Sequence, residues 1–264
     1  MFPGSTIGSV RPGVAYLRVL KTTELYRGMK AHYGVSLTCG GRSISRVDGC
    51  ERVHSAGTLG LAQPGQVHCN ERRDVPGGFQ LLSLDDALVD EARCALDQGL
   101  RGRLATDEVD MNDDRARPLR RLLQLVLYGT MEPFTLDVAV AEAVAAFTSF
   151  LGMPRAPSSN LRPSVRRARE FLLDHLADDV TLDALADHAR ADKFHLCRAF
   201  SSALGFPPYA FLTQARIARA RSLLHRGVRP SDVAPLVGFC DQSQLHRHFV
   251  RIVGCTPGAY ARRC

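Results

Sequence analysis

The stretch "GFCDQSQLHRHF" at residues 238–249 carries Gln, Ser, His and Arg side chains between regularly spaced Leu and Phe. An earlier stretch, "ARADKFHLCRAF" at residues 189–200, lies 49 residues before it and has a similar order of residue types. Over the longer segments 183–211 and 232–260, eight of 29 ungapped positions are identical. Such self-similarity at a fixed spacing indicates a duplicated structural unit.

Each copy has the pattern of a short helix, a tight turn and a second helix. Thr181 and Asp192 are the predicted N-caps of the two helices in the first copy, and Ser231 and Asp241 are their counterparts in the second. A glycine ends the second helix of each copy. Two short helices with a turn of three or four residues form a helix-turn-helix, whose second helix enters the major groove of DNA.

The second helix of each copy has an apolar stripe and an opposite, outward stripe. Arg198 and Arg247 occupy the same repeat position on the two outward stripes. Arg bonds bidentately to guanine and Gln to adenine, so these stripes match the edges of DNA bases. A helix face that is merely solvated is the alternative interpretation.

Charge is distributed unevenly along the chain. Residues 1–151 hold 17 Lys and Arg against 18 Asp and Glu, whereas residues 152–264 hold 17 against 9. This difference predicts that the C-terminal half meets a polyanion, although a basic surface without a partner is the alternative. One long helix at 208–227 joins the two copies, and its arginines either lie near phosphates or only keep the helix soluble. They are Arg216, Arg219, Arg221 and Arg226.

The N-terminal half begins with strands and continues with helices. Short apolar runs separated by Gly and Pro at residues 14–85 predict a small antiparallel barrel or sandwich. A short helix is predicted at 86–100. Helices at 117–129 and 135–152 form a predicted hairpin, which either caps the strands or provides a dimerisation surface. Pro, Gly and Ser at 152–160 indicate a linker.

The segments "RIARARSLL" (216–224) and "VGFCDQSQLHRHFVRIVGCTPGAY" (237–260) resemble the C-terminal signature of the AraC family of bacterial transcriptional regulators. The resemblance covers residues 163–264. It implies two helix-turn-helix units on asymmetric DNA sites and usually the activation of transcription. The DNA-binding candidates that it implies are Phe194, Cys197, Arg198, Gln242, Ser243, Gln244, His246 and Arg247.

The N-terminal half is similar to the cupin-type sensor domain of that family, through "LAQPGQVH" at residues 61–68. The metal motif of cupin enzymes, His-x-His followed by Glu, is absent from the sequence. We expect a small organic effector inside the barrel, with His32, His54 and His68 as candidate ligand-binding residues. A metal or thiol-sensing site and a purely structural barrel are the alternatives.

The predicted fold class is therefore α+β with two domains. Residues 1–151 form a cupin-like β-barrel with a helical hairpin, residues 152–162 a linker, and residues 163–264 an all-α domain with two helix-turn-helix units. The predicted function is sequence-specific regulation of transcription, as an activator under the control of an effector. A constitutive regulator with a structural dimerisation domain is the first alternative, and a cupin-type enzyme is the second.

The expected partners are double-stranded DNA, RNA polymerase, a small-molecule effector and a second copy of the chain in a homodimer. We expect no enzymatic activity, no catalytic residue, no cofactor and no metal ion. Pro and Gly interrupt the first 20 residues, so they do not resemble a signal peptide, and no run reaches the roughly 20 apolar residues of a membrane span. The expected location is the cytoplasm, with reduced thiols and no membrane partner.

Overall fold

The computed structural model describes residues 5–22, 25–73, 77–96, 103–128, 132–152 and 161–262. Within these ranges the chain is α+β with two domains, as the sequence predicts: strands dominate the first half and helices the second. Of the predicted linker at 152–162, residues 153–160 lie outside the described residues. None of the described helices is long and apolar enough to cross a membrane.

Strands in the N-terminal domain form two main antiparallel sheets. The strands are β1 (Ser5–Arg11), β2 (Val14–Thr22), β3 (Arg27–Met29), β4 (Tyr33–Thr38), β5 (Ser43–Val47), β6 (Cys50–His54), β7 (Thr58–Ala62), β8 (Val67–Arg73), β9 (Gly77–Leu84), β10 (Arg103–Leu104), β11 (Glu108–Asp110) and β12 (Leu151–Gly152). One sheet has the order β1-β2-β9-β4-β7-β11, the other the order β3-β8-β5-β6, and β10 pairs with β12. No pairing among the described strands joins the two main sheets, so they form an open, barrel-like arrangement around a cavity.

Three helices cover the outer face of the six-stranded sheet. They are α1 (Asp86–Ala95), α2 (Arg117–Tyr128) and α3 (Pro133–Thr148). Leu82 and Leu84 of β9 alternate with less buried neighbours, and they belong to one apolar core with Leu122 of α2 and Phe147 of α3. The predicted helical hairpin is therefore present, and its buried face caps the sheet.

Helix α3 begins two residues earlier and ends four residues earlier than the sequence indicated. At its end, the hydroxyl groups of Thr148 and Ser149 donate to carbonyl groups within the last turn. The next residues, Leu151 and Gly152, leave the helix to pair with β10. Competition from this strand pairing and from the side-chain hydrogen bonds explains the early end.

The C-terminal domain consists of seven helices in the described residues. They are α4 (Pro163–Asp174), α5 (Leu182–Ala189), α6 (Lys193–Leu204), α7 (Pro208–His225), α8 (Pro230–Leu236), α9 (Gln242–Val253) and α10 (Pro257–Ala261). Pairs α5–α6 and α8–α9 are the two copies of the repeat, which we name unit 1 and unit 2. Helix α7 joins them.

Most of the predicted caps are confirmed. The side chains of Thr181, Asp192 and Asp241 accept backbone N–H groups at the starts of α5, α6 and α9. Gly205 and Gly254 end α6 and α9 with φ of 75° and 84°, in the left-handed region that glycine adopts without a Cβ clash.

The predicted cap Ser231 is wrong. Helix α8 begins at Pro230, with Arg229 as its N-cap, and the Ser231 hydroxyl donates to the carboxylate of Asp232 instead. Proline is favourable at the first helical position because its φ is already helical and its missing N–H would be unpaired there. The proline therefore sets the start of α8 two residues earlier than a serine cap at 231 would.

The two units have different cores. Unit 1 packs with α4 and also with Met29, Val67 and Cys69 of the four-stranded sheet. The core of unit 2 contains only residues from Ile217 onwards. An ion pair reinforces the contact of α4 with the sheet domain, because Nη2 of the buried Arg169 lies 3.3 Å from Oδ2 of Asp48.

Candidate nucleic-acid interface and ligand cavity

Helix α6 presents the candidate residues of unit 1 on its N-terminal half. Phe194 and Arg198 are exposed, and Phe194 has 68% of its surface accessible. Cys197 is half-buried. An exposed aromatic side chain at the start of a helix is able to contact an apolar group of a partner, such as a thymine methyl group.

One exposed residue of α6 was not among the candidates. The ring of His195 lies beside Arg198, with His195 Nδ1 at 3.3 Å from Arg198 Nη2. In the sequence, its position three residues before Arg198 on the same predicted helix indicated that the two side chains lie on one face. Lys193, at the start of the helix, is instead bound to Asp183 at 2.8 Å.

Helix α9 presents the candidates of unit 2. Gln242, Ser243, His246 and Arg247 are all exposed. The fifth candidate, Gln244, is turned back onto the preceding turn, where its Oε1 accepts the backbone N–H of Cys240 at 3.0 Å. The N-cap Asp241 in turn accepts the N–H of Gln244. This pair of hydrogen bonds resembles a capping box, except that the Gln244 side chain binds the N–H of Cys240, one residue before the N-cap.

The first arginine of α7, Arg216, is bound to carbonyl groups of the protein. Arg216 donates from Nε to Leu176 O at 2.7 Å and from Nη2 to Asp178 O at 2.8 Å. Its guanidinium also lies over the ring of Phe239, with 5.8 Å from Cζ to the centroid. Arg216 therefore fastens unit 2 to the end of α4, a role that neither interpretation of the sequence included.

Two further arginines, Arg219 and Arg221, lie on α7, and Arg226 follows the helix as its C-cap. Arg221 lines a cavity of the N-terminal domain, and its Nε lies 3.4 Å from the Tyr260 hydroxyl. Arg219 and Arg226 line the cleft between the domains. Arg219 and Arg226 are nevertheless exposed, as are the polar residues on the outward faces of α6 and α9.

The C-terminal end of α6 contacts the four-stranded sheet. Arg27 donates to Gly205 O at 3.2 Å, Arg46 donates to Ser202 O at 3.4 Å, and the buried Cys69 thiol lies 3.8 Å from Leu204 O. These groups satisfy carbonyl oxygens that the end of a helix leaves unpaired. The helix of unit 1 is thus exposed at one end and held by the sheet domain at the other.

A cavity of about 270 Å³ lies between the two sheets. All three candidate histidines line it, and the rings of His54 and His68 meet edge to face with centroids 5.8 Å apart. Nε2 of His54 lies 2.6 Å from the Ser45 hydroxyl. Burial lowers the pKa of both rings, and that of His68 is lowered well below its ordinary value, so both are neutral at neutral pH.

His32 lies apart from this pair of rings. It lines the cavity too, but its ring contacts His225 of α7, with centroids 5.8 Å apart. The three histidines predicted for one site therefore line the same cavity, but only the rings of His54 and His68 contact each other.

The cavity is cationic. Lys30, Arg42, Arg73 and Arg221 line it, and none of the described lining residues is an Asp or Glu. Burial, followed by the charge of Arg221, lowers the pKa of Lys30 to about 8. The Lys30 ammonium lies 5.0 Å from the centre of the Tyr26 ring. Lys30 and Arg221 were missed from the sequence, since a strand-end lysine and a helical arginine look like surface residues until the fold brings them together.

Comparisons with known proteins match the C-terminal domain. Residues 185–263 match a family model described as a helix-turn-helix domain. The uncharacterized HTH-type transcriptional regulator YbfI of Bacillus subtilis is 39% identical over 97 residues, which are 37% of this chain and 34% of that protein. The RCS-specific HTH-type transcriptional activator RclR of Escherichia coli is 32% identical over 104 residues, which are 39% of this chain and 37% of RclR.

The chain thus spans about a third of the length of these curated relatives. Among solved structures, ToxT from Vibrio cholerae is similar over 98% of both chains, with a TM-score of 0.47 and 10% sequence identity.

Proposed function

Because residues 185–263 form a helix-turn-helix domain of the AraC type, we propose that this protein is a sequence-specific DNA-binding regulator of transcription. The observation that carries the proposal is the pair of exposed polar faces on α6 and α9, which place Arg198 and Arg247 at equivalent positions of a structural repeat. The relatives YbfI and RclR are named as transcriptional regulators.

The proposed mode of binding uses both units. Helices α6 and α9 each enter a major groove, with Phe194, Cys197 and Arg198 reading bases in one and Gln242, Ser243, His246 and Arg247 in the other. Gln244 Oε1 accepts the N–H of Cys240 in the free protein, so a bidentate contact of its amide with a base requires that this hydrogen bond opens. Arg216 fixes the angle between the units through its bonds to the end of α4.

Selection from a randomised DNA library with the full chain tests this proposal. We expect a preferred site and an affinity that falls steeply as salt increases, because phosphate contacts release counterions. The matched control is the double variant Arg198→Ala, Arg247→Ala, which keeps the fold because both side chains are exposed. Equal enrichment by the control and the wild type would contradict the proposal.

We further propose that a small organic anion in the cavity controls DNA binding. Four cationic residues without a lining carboxylate favour an anionic group, and the apolar residues Leu17, Met29 and Leu81 favour an organic body next to it. Arg221 belongs to α7, so an anion held by both Lys30 and Arg221 connects the cavity with the helix that joins the two units. A purely structural N-terminal domain is the second candidate.

The pH dependence of anion binding tests the role of Lys30. Binding requires the protonated ammonium, so affinity for a carboxylate should be greatest below pH 8 and fall up to about tenfold per pH unit above it. Lys30→Met should abolish this dependence. Below about pH 8 the unfolded chain holds the Lys30 proton more tightly than the ligand-free fold does, so Lys30→Met should stabilise that fold there by up to about 3 kcal/mol. This gain should disappear as the pH rises to about 10.5. Calorimetric titration with aromatic and aliphatic carboxylates measures the affinity.

We also propose a homodimer and, for an activator, contact with RNA polymerase. The outward face of α3 carries Phe134, which is 77% exposed, and Val138, Ala141 and Ala145 continue the same stripe. A second copy would cover this stripe. Sedimentation of Phe134→Lys against the wild type tests the dimer, and a wild type that remains monomeric at micromolar concentration would contradict it.

A further inference from the structure

Two histidines and two aspartates meet where the N-terminal end of α1 approaches the C-terminal end of α7. His32 precedes β4, Asp85 caps α1, Asp86 is the first residue of α1, and His225 is the last residue of α7. One ligand atom each from His32, Asp85 and Asp86 lies within 4.8 Å of the other two. His225 Nε2 lies 2.9 Å from Asp85 Oδ2. The cluster therefore contains side chains from both domains.

Two atoms of this cluster lack hydrogen-bond partners among the described residues. His32 is 8% exposed, and its Nδ1 is buried without a partner. Asp86 Oδ1 is buried in the same way, and it lies 3.8 Å from His32 Nδ1. This distance is too long for a hydrogen bond. Unpaired buried polar atoms destabilise a fold, and a cation between the imidazole and the carboxylate would satisfy both.

The donor set selects the kind of cation. Mg²⁺ and Ca²⁺ prefer oxygen ligands throughout, whereas an imidazole with carboxylates suits Zn²⁺ and its first-row neighbours. Bonds of 2.0–2.1 Å to a tetrahedral Zn²⁺ place ligand atoms about 3.3 Å apart. The separation of 3.8 Å between His32 Nδ1 and Asp86 Oδ1 therefore needs to close by about half an ångström. The other ligand pairs, which lie within 4.8 Å, need to close by up to about 1.5 Å.

His225, the fourth residue of the cluster, orients one of the proposed ligands through a hydrogen bond. Asp85 Oδ1 accepts the Ala87 N–H at 3.0 Å, and His225 holds Oδ2, so the carboxylate is fixed at both oxygens while each keeps a lone pair. Metal-binding carboxylates are commonly oriented by such hydrogen bonds. We propose that His32, Asp85 and Asp86 bind a divalent first-row transition metal ion, with His225 positioning Asp85. The sequence alone led us to expect no metal ion.

The proposed site has a path to solvent. Asp86 lines the cleft between the domains, which has a volume of about 470 Å³. Asp90, one turn further along α1, lines the same cleft and adds a third carboxylate to the approach. Arg219 and Arg226 also line this cleft.

Titration of the full chain with Co²⁺ and Zn²⁺ tests this proposal. The protein is stripped with a chelator, kept reduced, and titrated with each metal alone. We expect one ion per chain, visible absorption bands of bound Co²⁺, and a higher midpoint of thermal unfolding with Zn²⁺. His32→Gln and Asp86→Asn should each lower the affinity by roughly 100-fold or more, and His225→Gln by about 10–100-fold, the range for outer-shell partners.

The matched control is His54→Gln, His68→Gln, which removes the other histidine pair and should leave metal affinity unchanged. Asp86→Asn preserves the shape of the side chain, and circular dichroism checks that each variant is folded. No binding by the wild type, equal binding by His32→Gln and Asp86→Asn, or loss of binding in the control would each overturn the proposal. So would a near-ultraviolet thiolate-to-cobalt band, since no cysteine belongs to the cluster.

Discussion

Units 1 and 2 share one local structure and differ in what surrounds it. In both, an aspartate caps the second helix, a glycine in the left-handed region ends it, and a buried Leu and Phe four residues apart hold its inner face. Met29, Val67 and Cys69 of the sheet domain pack into the core of unit 1 but not into that of unit 2. The repeated sequence therefore sets the motif, while tertiary contacts decide that the core of unit 1 is shared with the four-stranded sheet.

The largest expected effect comes from the paired core phenylalanines. Phe200→Ala and Phe249→Ala should each destabilise their own unit by about 3–5 kcal/mol, because both rings are fully buried. Hydrogen exchange separates the two. Phe200→Ala should also speed exchange in β8, which carries Val67 and Cys69, whereas Phe249→Ala should leave β8 unchanged. Equal acceleration of exchange in β8 by both substitutions would contradict the claim that only unit 1 packs against this strand.

Removal of the sheet domain should affect the units unequally. In a fragment of residues 161–264, unit 1 loses its contacts with Met29 and Val67. We expect the opening free energy of its amides, measured by hydrogen exchange, to fall by about 1.5–3 kcal/mol for each buried side chain that is lost. Unit 2 should keep its protection. Hydrogen exchange of the fragment and of the full chain measures these opening free energies. An equal decrease in α6 and α9 would contradict the claim that only unit 1 shares its core with the sheet domain.

The exposed arginines should behave alike in both units. Arg198→Ala and Arg247→Ala should each cost about 1–3 kcal/mol of DNA-binding free energy and relax base preference at one position. The two affected positions should lie about one helical turn of DNA apart, roughly 10 base pairs. Base-preference profiles on a randomised site measure both effects. A shared position would show that the units do not occupy successive grooves.

Arg216→Ala is the control for that experiment. Its guanidinium binds carbonyl oxygens of the protein, so its loss should lower stability without reducing the salt dependence of DNA binding. A decrease of about one unit in the salt slope would assign Arg216 to a phosphate instead.

The smallest expected effect concerns the contact between the sheet and the end of α6. Arg27→Gln removes a partly exposed hydrogen bond to Gly205 O, and it should cost only about 0.5–1 kcal/mol of stability. We expect a larger effect on regulation than on stability. The effector should change the DNA affinity of Arg27→Gln less than that of the wild type, because this contact belongs to unit 1 alone. Binding curves with and without the effector measure it, and Arg251→Gln in unit 2 is the matched control.

Much of the DNA-binding domain was predictable because its signals are local. Caps at Thr181, Asp192 and Asp241 act within one helical turn, and the 49-residue repeat shows the same pattern twice. The error at Ser231 has the same origin, since Pro230 offered a competing local signal. The early end of α3 was not predictable, because it depends on a strand partner about 50 residues away in the chain.

The sequence by itself determined the two helix-turn-helix units, their outward polar faces and the change from strands to helices, because periodicity and capping act over a few residues. Only the tertiary structure decided that Lys30 and Arg221 line one cavity, that Arg216 fastens unit 2 to α4, and that His32 meets Asp86 and His225 between the domains. These groups lie far apart in the chain. Their charges and hydrogen-bonding capacity acquire a role only when packing brings them within a few ångströms of each other and excludes water.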